Sequence, residues 1–426
     1  MDKKSDPRFA AYDILGKTEE KNGFLNIVLP SMLKRYSLAE KDRALCAAIV
    51  KGVYERDRTL RFVIEQLSAF PVEKIDKRIM ILLKTGVYQI LFMDKIPPFA
   101  VCNETVRIAS EICGKKATGF LNGMLRNAVR KKEKLKKKIA EAPAAVRLSV
   151  SDDVYGMFSL QYGEETAIRI LTRFNEIQPL CLRVNTLAAD RKALAGELAA
   201  KGLTVKECGS CGIAVYGNSE KVISEMDSSG KYYIQGFSSQ AAVETLDVKE
   251  GDRVIDMCAC PGGKSLGAAI NMKNKGSVTS FDIHESKLEL ISSAAERLGI
   301  DIIKTCCADS TKRTEELIRS ADRVICDVPC SGTGSISKRP EIRYKTADEL
   351  YALTGTQYRI LSNGISYLKP NGKLVYSVCS LNKAEGEMLI KKYTEENTDA
   401  ILLSERTILP ENDGYDGFYI AVLQKR

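Results

Sequence analysis

At 426 residues, 44% hydrophobic and 28% charged, the chain is too long for one compact core and ordinary in composition for a globular protein, so two or three domains are expected. No apolar run approaches the roughly 20 residues of a membrane span, and the polar amino-terminal stretch has no signal-peptide core; a cytoplasmic protein is expected. Thirteen cysteines, an odd number spread along the chain, argue against a secreted disulfide framework, and the single histidine, His284, all but excludes Cys-His and Ser-His-Asp catalysis and histidine-rich zinc sites.

The first third reads as helices. Ala10, Ile14 and Leu15, then Leu25, Val28, Leu29, Met32 and Leu33, then Leu45, Ile49 and Val53 keep a helical apolar spacing, and the run from Ile79 to Met93 continues it. Pro97-Pro98 should end one helix before another begins near Val101. A lysine-rich run, Lys131 to Lys138, followed by Ala142-Pro143, reads as a linker or an exposed helix end. An all-α bundle is expected over residues 1–140. The basic charge sits here too. Residues 1–145 carry 29 Lys and Arg against 17 Asp and Glu, while the rest carries 35 against 38, within a net charge of +9. That asymmetry suits a module that grips nucleic acid joined to a near-neutral one, and equally a solvated helical surface.

Residues 141–235 read as a linker and a small α+β element. Pro179 to Asn185 suggests a strand, Asp190 to Lys201 a helix, and Ala214 to Tyr216 and Tyr232 to Gln235 further short strands. Cys208-Gly209-Ser210-Cys211 has metal-knuckle spacing but lacks a second ligand pair, so no metal is expected. Over residues 236–426 strands and helices alternate. Val254-Ile255, Val278 to Phe281, Val324 to Cys326 and Leu374 to Tyr376 are continuous apolar strands of the kind a buried parallel sheet needs, which predicts a doubly wound α/β domain.

Chemistry concentrates at the ends of those strands. After the first comes Asp256 and a turn, Cys258-Ala259-Cys260-Pro261-Gly262-Gly263-Lys264, whose glycines let backbone approach a ligand and whose following helix offers free N–H groups. Asp282 ends the next strand, where an acid suits the two ribose hydroxyls, and Asp309 closes a third run, where it can meet an adenine amine. Each of these acids would also serve as a helix cap. The pattern fits a nucleoside ligand. The turn is neither G-x-G-x-x-G nor a P-loop, and the choice between S-adenosylmethionine and a dinucleotide stays open at this level. Two later strands each run into a cysteine in a small-residue turn: Asp327-Val328-Pro329-Cys330-Ser331-Gly332-Thr333-Gly334 and Ser377-Val378-Cys379-Ser380. Such exposed strand-end thiols beside a cofactor loop suit thiolate addition to C6 of a pyrimidine, which makes C5 nucleophilic enough to accept a methyl group. Asp327 can hydrogen-bond the pyrimidine edge. Cys326, inside its strand, reads as core.

These motifs resemble those of the NOL1/NOP2/Sun RNA cytosine-C5 methyltransferases. Asp327 to Gly334 matches that family's Asp-x-Pro-Cys-Ser-Gly-Thr-Gly residue for residue. Asp256 to Ser265 is similar to its cofactor loop and Ser377 to Ser380 to its Ser-Thr-Cys-Ser. Ile234 to Ala241, Lys338 to Tyr344, Ile408 to Pro410 and Asp416 to Tyr419 are similar to further family segments. The resemblance implies a multidomain chain ending in a class I, Rossmann-like methyltransferase domain that uses S-adenosylmethionine. It implies Cys379 as nucleophile, Cys330 as an aid to product release, and cofactor contacts at Cys258 through Lys264, Asp282, Asp309 and Asp327. Three residues depart from the family: Cys260 for Ala, Val378 for Thr, and Gly236 for an acid. Residues 1–130 resemble the NusB-type helical RNA-binding domain, an appendage of the branch that acts on small-subunit rRNA. With no carboxyl-terminal RNA-binding domain expected, the implied partner is 16S rRNA, naked or in an assembling subunit, bound by a monomer without metal or membrane. A tRNA cytosine-C5 methyltransferase, a relic fold serving as a non-catalytic RNA-binding or antitermination factor, and a DNA cytosine methyltransferase are the competing readings.

Overall fold

The computed structural model describes residues 3–21, 25–176, 178–217, 222–224, 230–410 and 416–426. The chain divides into two compact units, one of residues 1–175 with 336–346, the other of 176–335 with 347–426.

The first unit is helical. Its described residues form α1 (Pro7–Lys21), α2 (Leu25–Leu33), α3 (Glu40–Glu55), α4 (Asp57–Leu67), α5 (Lys77–Phe92), α6 (Pro98–Cys113), α7 (Lys115–Arg130), α8 (Lys132–Glu141), α9 (Ala144–Leu148), α10 (Asp152–Tyr162) and α11 (Glu164–Arg173). The apolar positions read from the sequence, Ala10, Ile14, Leu29, Ile49 and Val53 among them, meet in one core around α5. One detail differs from expectation. α6 starts at Pro98 rather than near Val101, because proline fits the first helical position, where its missing N–H would have no partner anyway. Of the two readings of the lysine run, linker or exposed helix end, the structure has the helix, α8, held by Leu135, which is 2% exposed. Lys84 of α5 is buried and pairs with Glu19 at 3.1 Å and Asp57 at 2.5 Å. The segment of residues 336–346 is wired into this unit. The buried Arg343 donates to the carbonyls of Leu148 and Phe174, each at 3.3 Å. The Tyr344 hydroxyl donates to Tyr54 O and accepts from Asp57 N, each at 3.1 Å.

The second unit holds two sheets. β1 (Leu180–Val184), β2 (Thr204–Cys208), β3 (Gly212–Tyr216) and β4 (Tyr232–Ile234) form an antiparallel sheet in the order β2-β3-β1-β4, with α12 (Arg191–Ala200) against it. After α13 (Phe237–Thr245) come β5 (Arg253–Asp256), α14 (Gly263–Asn271), β6 (Ser277–Asp282), α15 (Glu285–Arg297), β7 (Ile303–Cys307), β8 (Ala321–Asp327), α16 (Ala347–Tyr351), α17 (Thr354–Tyr367), β9 (Leu368–Val378), α18 (Glu387–Glu396), β10 (Ala400–Ile408) and β11 (Phe418–Lys425). Their sheet order is β10-β11-β9-β8-β5-β6-β7. β7 to β9 run parallel through β5, and β11 and β10 close the edge antiparallel. The central parallel strands carry apolar runs because both faces are covered there: Val254, Val278, Val324, Ile325 and Leu374 are all at most 1% exposed. The chain runs outward from β5 through β6 to β7, then returns to β8 on its other side. That reversal opens a crevice at the carboxyl ends of β5 and β8, the usual place for a ligand in such a sheet.

Candidate active site

The crevice is lined by residues from the ends of β5, β6, β8 and β9. β8 and β9 are parallel neighbours with Asp327 opposite Ser377. The two cysteine motifs therefore leave the same sheet edge side by side. The Sγ atoms of Cys330 and Cys379 lie 3.3 Å apart, and both residues are half-buried. Their loops are bonded to each other: Gly334 N donates to Cys379 O at 3.1 Å, and Gly417 N to Gly334 O at 2.8 Å. A Cβ on Gly334 would stand 1.8 Å from Gly417 O, so only glycine permits this approach.

The Cys330 thiol is held well above its ordinary value by its hydrogen bond with Cys379, by burial, by the charge a Cys379 thiolate would carry and by Glu385. Cys330 thus favours its protonated form, and the two sulfurs are close enough to share a proton in a hydrogen bond. Asp327 is gripped from both sides: Lys264 Nζ donates to Oδ2 at 2.5 Å and Ser377 Oγ to Oδ1 at 2.8 Å. Each carboxylate oxygen keeps a further lone pair for an incoming donor. Lys264 is 8% exposed and also sits 5.5 Å from the Phe418 ring centre.

The glycine-rich turn of residues 257–262 is tied down by Met257 N to Ile325 O, Ala259 N to Phe281 O and Gly262 N to Ala259 O. Gly262 has φ +101°, and a Cβ there would stand 3.2 Å from Ile291. Asp256 is fully buried, accepts from Ser265 Oγ at 2.6 Å and is pushed up to about 7, mainly by burial and further by Asp327. Cys258 is pushed up by burial and the four acids around it, Asp256 foremost, and packs against the apolar core. Asp282 accepts from Cys260 N at 3.3 Å and from His284 N at 2.9 Å, which leaves lone pairs for hydroxyl donors. Asp309 instead turns to its own loop, accepting from Thr311 N at 3.0 Å and Thr311 Oγ1 at 2.7 Å, and that loop is tied to the cofactor turn by Ser310 Oγ to Met257 O. The bare backbone at Gly262, the free N–H groups opening α14 and the acids at the ends of β5, β6 and β8 fit a nucleoside bearing a cationic sulfonium.

The three departures from the family pattern fall differently. Cys260 is half-buried with its thiol on Lys287 O at 3.0 Å, and burial pushes it up to about 11. Val378 is fully buried in the core. Gly236 precedes α13 with φ −58°, a conformation open to any residue. Gln357 and Glu385 join the site without a signal in the sequence, and serines and a threonine inside the two cysteine motifs take up holding roles there. Ser377 holds Asp327, while Ser331, Thr333, Ser380 and Gln357 form a buried network around Glu385.

The 16S rRNA methyltransferase RsmB/F family model matches residues 243–424, the NusB family model residues 5–130, and the RsmF/B-like ferredoxin-like domain model residues 156–220. Over 447 residues, spanning 100% of both chains, the protein is 32% identical to the probable ribosomal RNA small subunit methyltransferase B of Bacillus subtilis (strain 168). The chain belongs to the ribosomal RNA small subunit methyltransferase B family. A Synechocystis protein (strain ATCC 27184 / PCC 6803 / Kazusa), with the same description as the B. subtilis one, is 28% identical over 98% of this chain and 99% of its own. Among solved structures, PH0851 shares the fold over 98% of both chains, with a TM-score of 0.82 and 23% identity. A methyltransferase homologue from Pyrococcus horikoshii is 30% identical over 66% of this chain and 98% of its own, with a TM-score of 0.59. The protein is thus a methyltransferase with a NusB-type helical domain at its amino-terminal side.

Proposed function

We propose that this protein methylates C5 of a cytosine in 16S rRNA, with S-adenosylmethionine as methyl donor and Cys379 as the covalent nucleophile. The observation that carries the reading is the pair of strand-end thiols, 3.3 Å apart, beside Asp327 and the Lys264 that ends the cofactor turn. When bound in the crevice, S-adenosylmethionine supplies an electrophilic methyl group on a sulfonium. The residues of the chain prepare the base to accept it.

The Cys379 thiolate adds to C6 of cytosine, and the C5–C6 π electrons move onto C5. Asp327, held by Lys264 and Ser377, accepts from the pyrimidine's amine edge and favours a proton on N3, which makes C6 more electrophilic. After C5 has gained the methyl group, a base takes the C5 proton, the freed electron pair re-forms the C5–C6 double bond, and Cys379 leaves as a thiolate. Cys330, whose sulfur touches that of Cys379, assists this release. Residues 258–264, Asp282 and Asp309 hold the donor's methionine and nucleoside parts. The basic helical unit and the small antiparallel element hold RNA largely through phosphate contacts, which give affinity without base specificity. The target cytosine enters the crevice unstacked from a loop or flipped from a helix.

Competition between purified 16S rRNA and tRNA for labelled methyl groups, followed by nucleoside analysis, tests the reading. The expected product is 5-methylcytidine in 16S rRNA. Label in tRNA alone, or on another base atom, would contradict it.

A further inference from the structure

Glu385 has no place in the reaction above, yet its carboxylate is the most constrained acid near the two cysteines. It is 0% exposed, and among the described residues the hydrogen bonds to its carboxylate come from neutral donors. Oε1 accepts from Ser331 N at 2.7 Å and Gln357 Nε2 at 3.0 Å, and Oε2 accepts from Ser331 Oγ and Ser380 Oγ, each at 2.5 Å. Ser331 follows Cys330 and Ser380 follows Cys379. The same Gln357 amide donates to Pro329 O at 2.8 Å, so Cys330 is tied on both sides. The backbone of Glu385 is itself pinned by Tyr376 OH on its carbonyl at 2.7 Å.

A buried carboxylate matched only by neutral donors is expensive, and an apolar side chain of similar volume is often as stable or more so. What the charge provides is geometry. Both loops converge on one group with four acceptor directions, which no neutral side chain reproduces. In glutamine, the nitrogen replacing one oxygen has no lone pair, so the Ser331 and Ser380 hydroxyls must reverse and accept from it, and all four contacts lose the charge that draws the two loops together.

We infer, on the strength of the two-cysteine reading above, that Glu385 is a positioning residue that clamps the Cys330 and Cys379 loops so that both sulfurs face one base. Its charge also helps hold the proton on Cys330, which couples the clamp to the release step.

The test uses the full-length protein with Glu385→Gln, Glu385→Asp and Glu385→Ala. Three quantities are read: kcat and KM for 16S rRNA methylation, the pH profile of Cys330 alkylation, and the rate at which diamide, itself reduced to the hydrazine, links Cys330 to Cys379 as a mapped disulfide. Glu385→Gln is expected to lower kcat by about 10- to 100-fold, the scale of a roughly 1 Å misplacement, with the KM for 16S rRNA little changed. It should also slow the diamide link and move Cys330 alkylation to lower pH. Glu385→Asp keeps the charge but not the reach, so it should lose kcat and linking rate while leaving the alkylation profile nearer wild type. Should Glu385→Ala fail to fold, Glu385→Gln, close to isosteric, carries the test. Wild-type kcat and wild-type linking rate in a folded Glu385→Gln would overturn the inference. If wild type methylates no RNA but diamide linking still depends on Glu385, the clamp stands and the proposed reaction falls.

Discussion

Gly334→Ala tests how closely the Cys379 loop depends on backbone packing. The added Cβ would lie 1.8 Å from Gly417 O, 2.5 Å from Gly417 C and 3.0 Å from Gly417 Cα, where real Cβ atoms essentially never come closer than 3.0 Å. The obstacle is backbone, so no side chain can swing aside. The two segments must part by about 1.2 Å, the difference between 3.0 Å and 1.8 Å. That movement strains the bonds from Gly417 N to Gly334 O and from Gly334 N to Cys379 O. Two weakened hydrogen bonds at about 1 kcal/mol each, with overpacking of about 1–3 kcal/mol, give a loss on the order of 3–5 kcal/mol. For a unit of this size that corresponds to a melting temperature lower by roughly 10 °C. Since Cys379 O is one of the displaced partners, kcat should fall by about 100-fold at a temperature where the variant is folded. The assay is calorimetry with steady-state methyl transfer. Gly355→Ala in the first turn of α17, where the nearest atom to the new Cβ is Arg359 Nη1 at 3.9 Å, serves as control and should stabilise slightly. A Gly334→Ala protein within about 2 °C of wild type and with kcat within about threefold would refute the reasoning.

Three further outcomes are expected. Lys264→Met removes the cation paired with Asp327 and faced by the buried Asp256; methyl transfer should fall at least tenfold, whereas an unchanged rate in a folded variant would remove Lys264 from the site. Asp256, raised from an ordinary 3.8 to about 7, keeps its proton in the folded protein while the unfolded chain gives it up. Its contribution is therefore most favourable below about pH 4 and is lost as pH rises towards 7, by an amount on the order of 4 kcal/mol. Calorimetry from pH 4 to 8 should show this decline flattened in Asp256→Asn, and an identical profile in both proteins would contradict it. Tyr344→Phe leaves Tyr54 O and Asp57 N in the helical unit without their hydroxyl partner and should cost about 1–3 kcal/mol in chemical denaturation; no measurable change would show that these groups find other partners.

What could be read from the sequence followed local pattern. The central parallel strands were legible because each contains a short apolar run, and the two cysteines because proline, serine and glycine are poor core residues next to such runs. Val378 shows the limit. As the residue before Cys379 it drew attention, but successive strand side chains point to opposite faces, and the structure places it in the core. The lysine run reads equally as linker or helix end because its exposed charges set no apolar period, and a single fully buried side chain, Leu135, holds α8 against the bundle. Glu385 was invisible for a different reason. A lone acid between Ala384 and Gly386 has no pattern, and its burial depends on donors 54 and 28 residues away. The joining of residues 336–346 to the helical unit is likewise a long-range fact that no local spacing carries.

The most direct measurement of the central claim follows labelled methyl groups and protein–RNA adducts with deproteinised 16S rRNA in wild type, Cys379→Ala and Cys330→Ala. The expected result is labelled rRNA with wild type, neither label nor adduct with Cys379→Ala, and a denaturation-resistant adduct that accumulates with Cys330→Ala. Equal adduct in Cys379→Ala, or full methylation without either cysteine, would contradict covalent catalysis by Cys379.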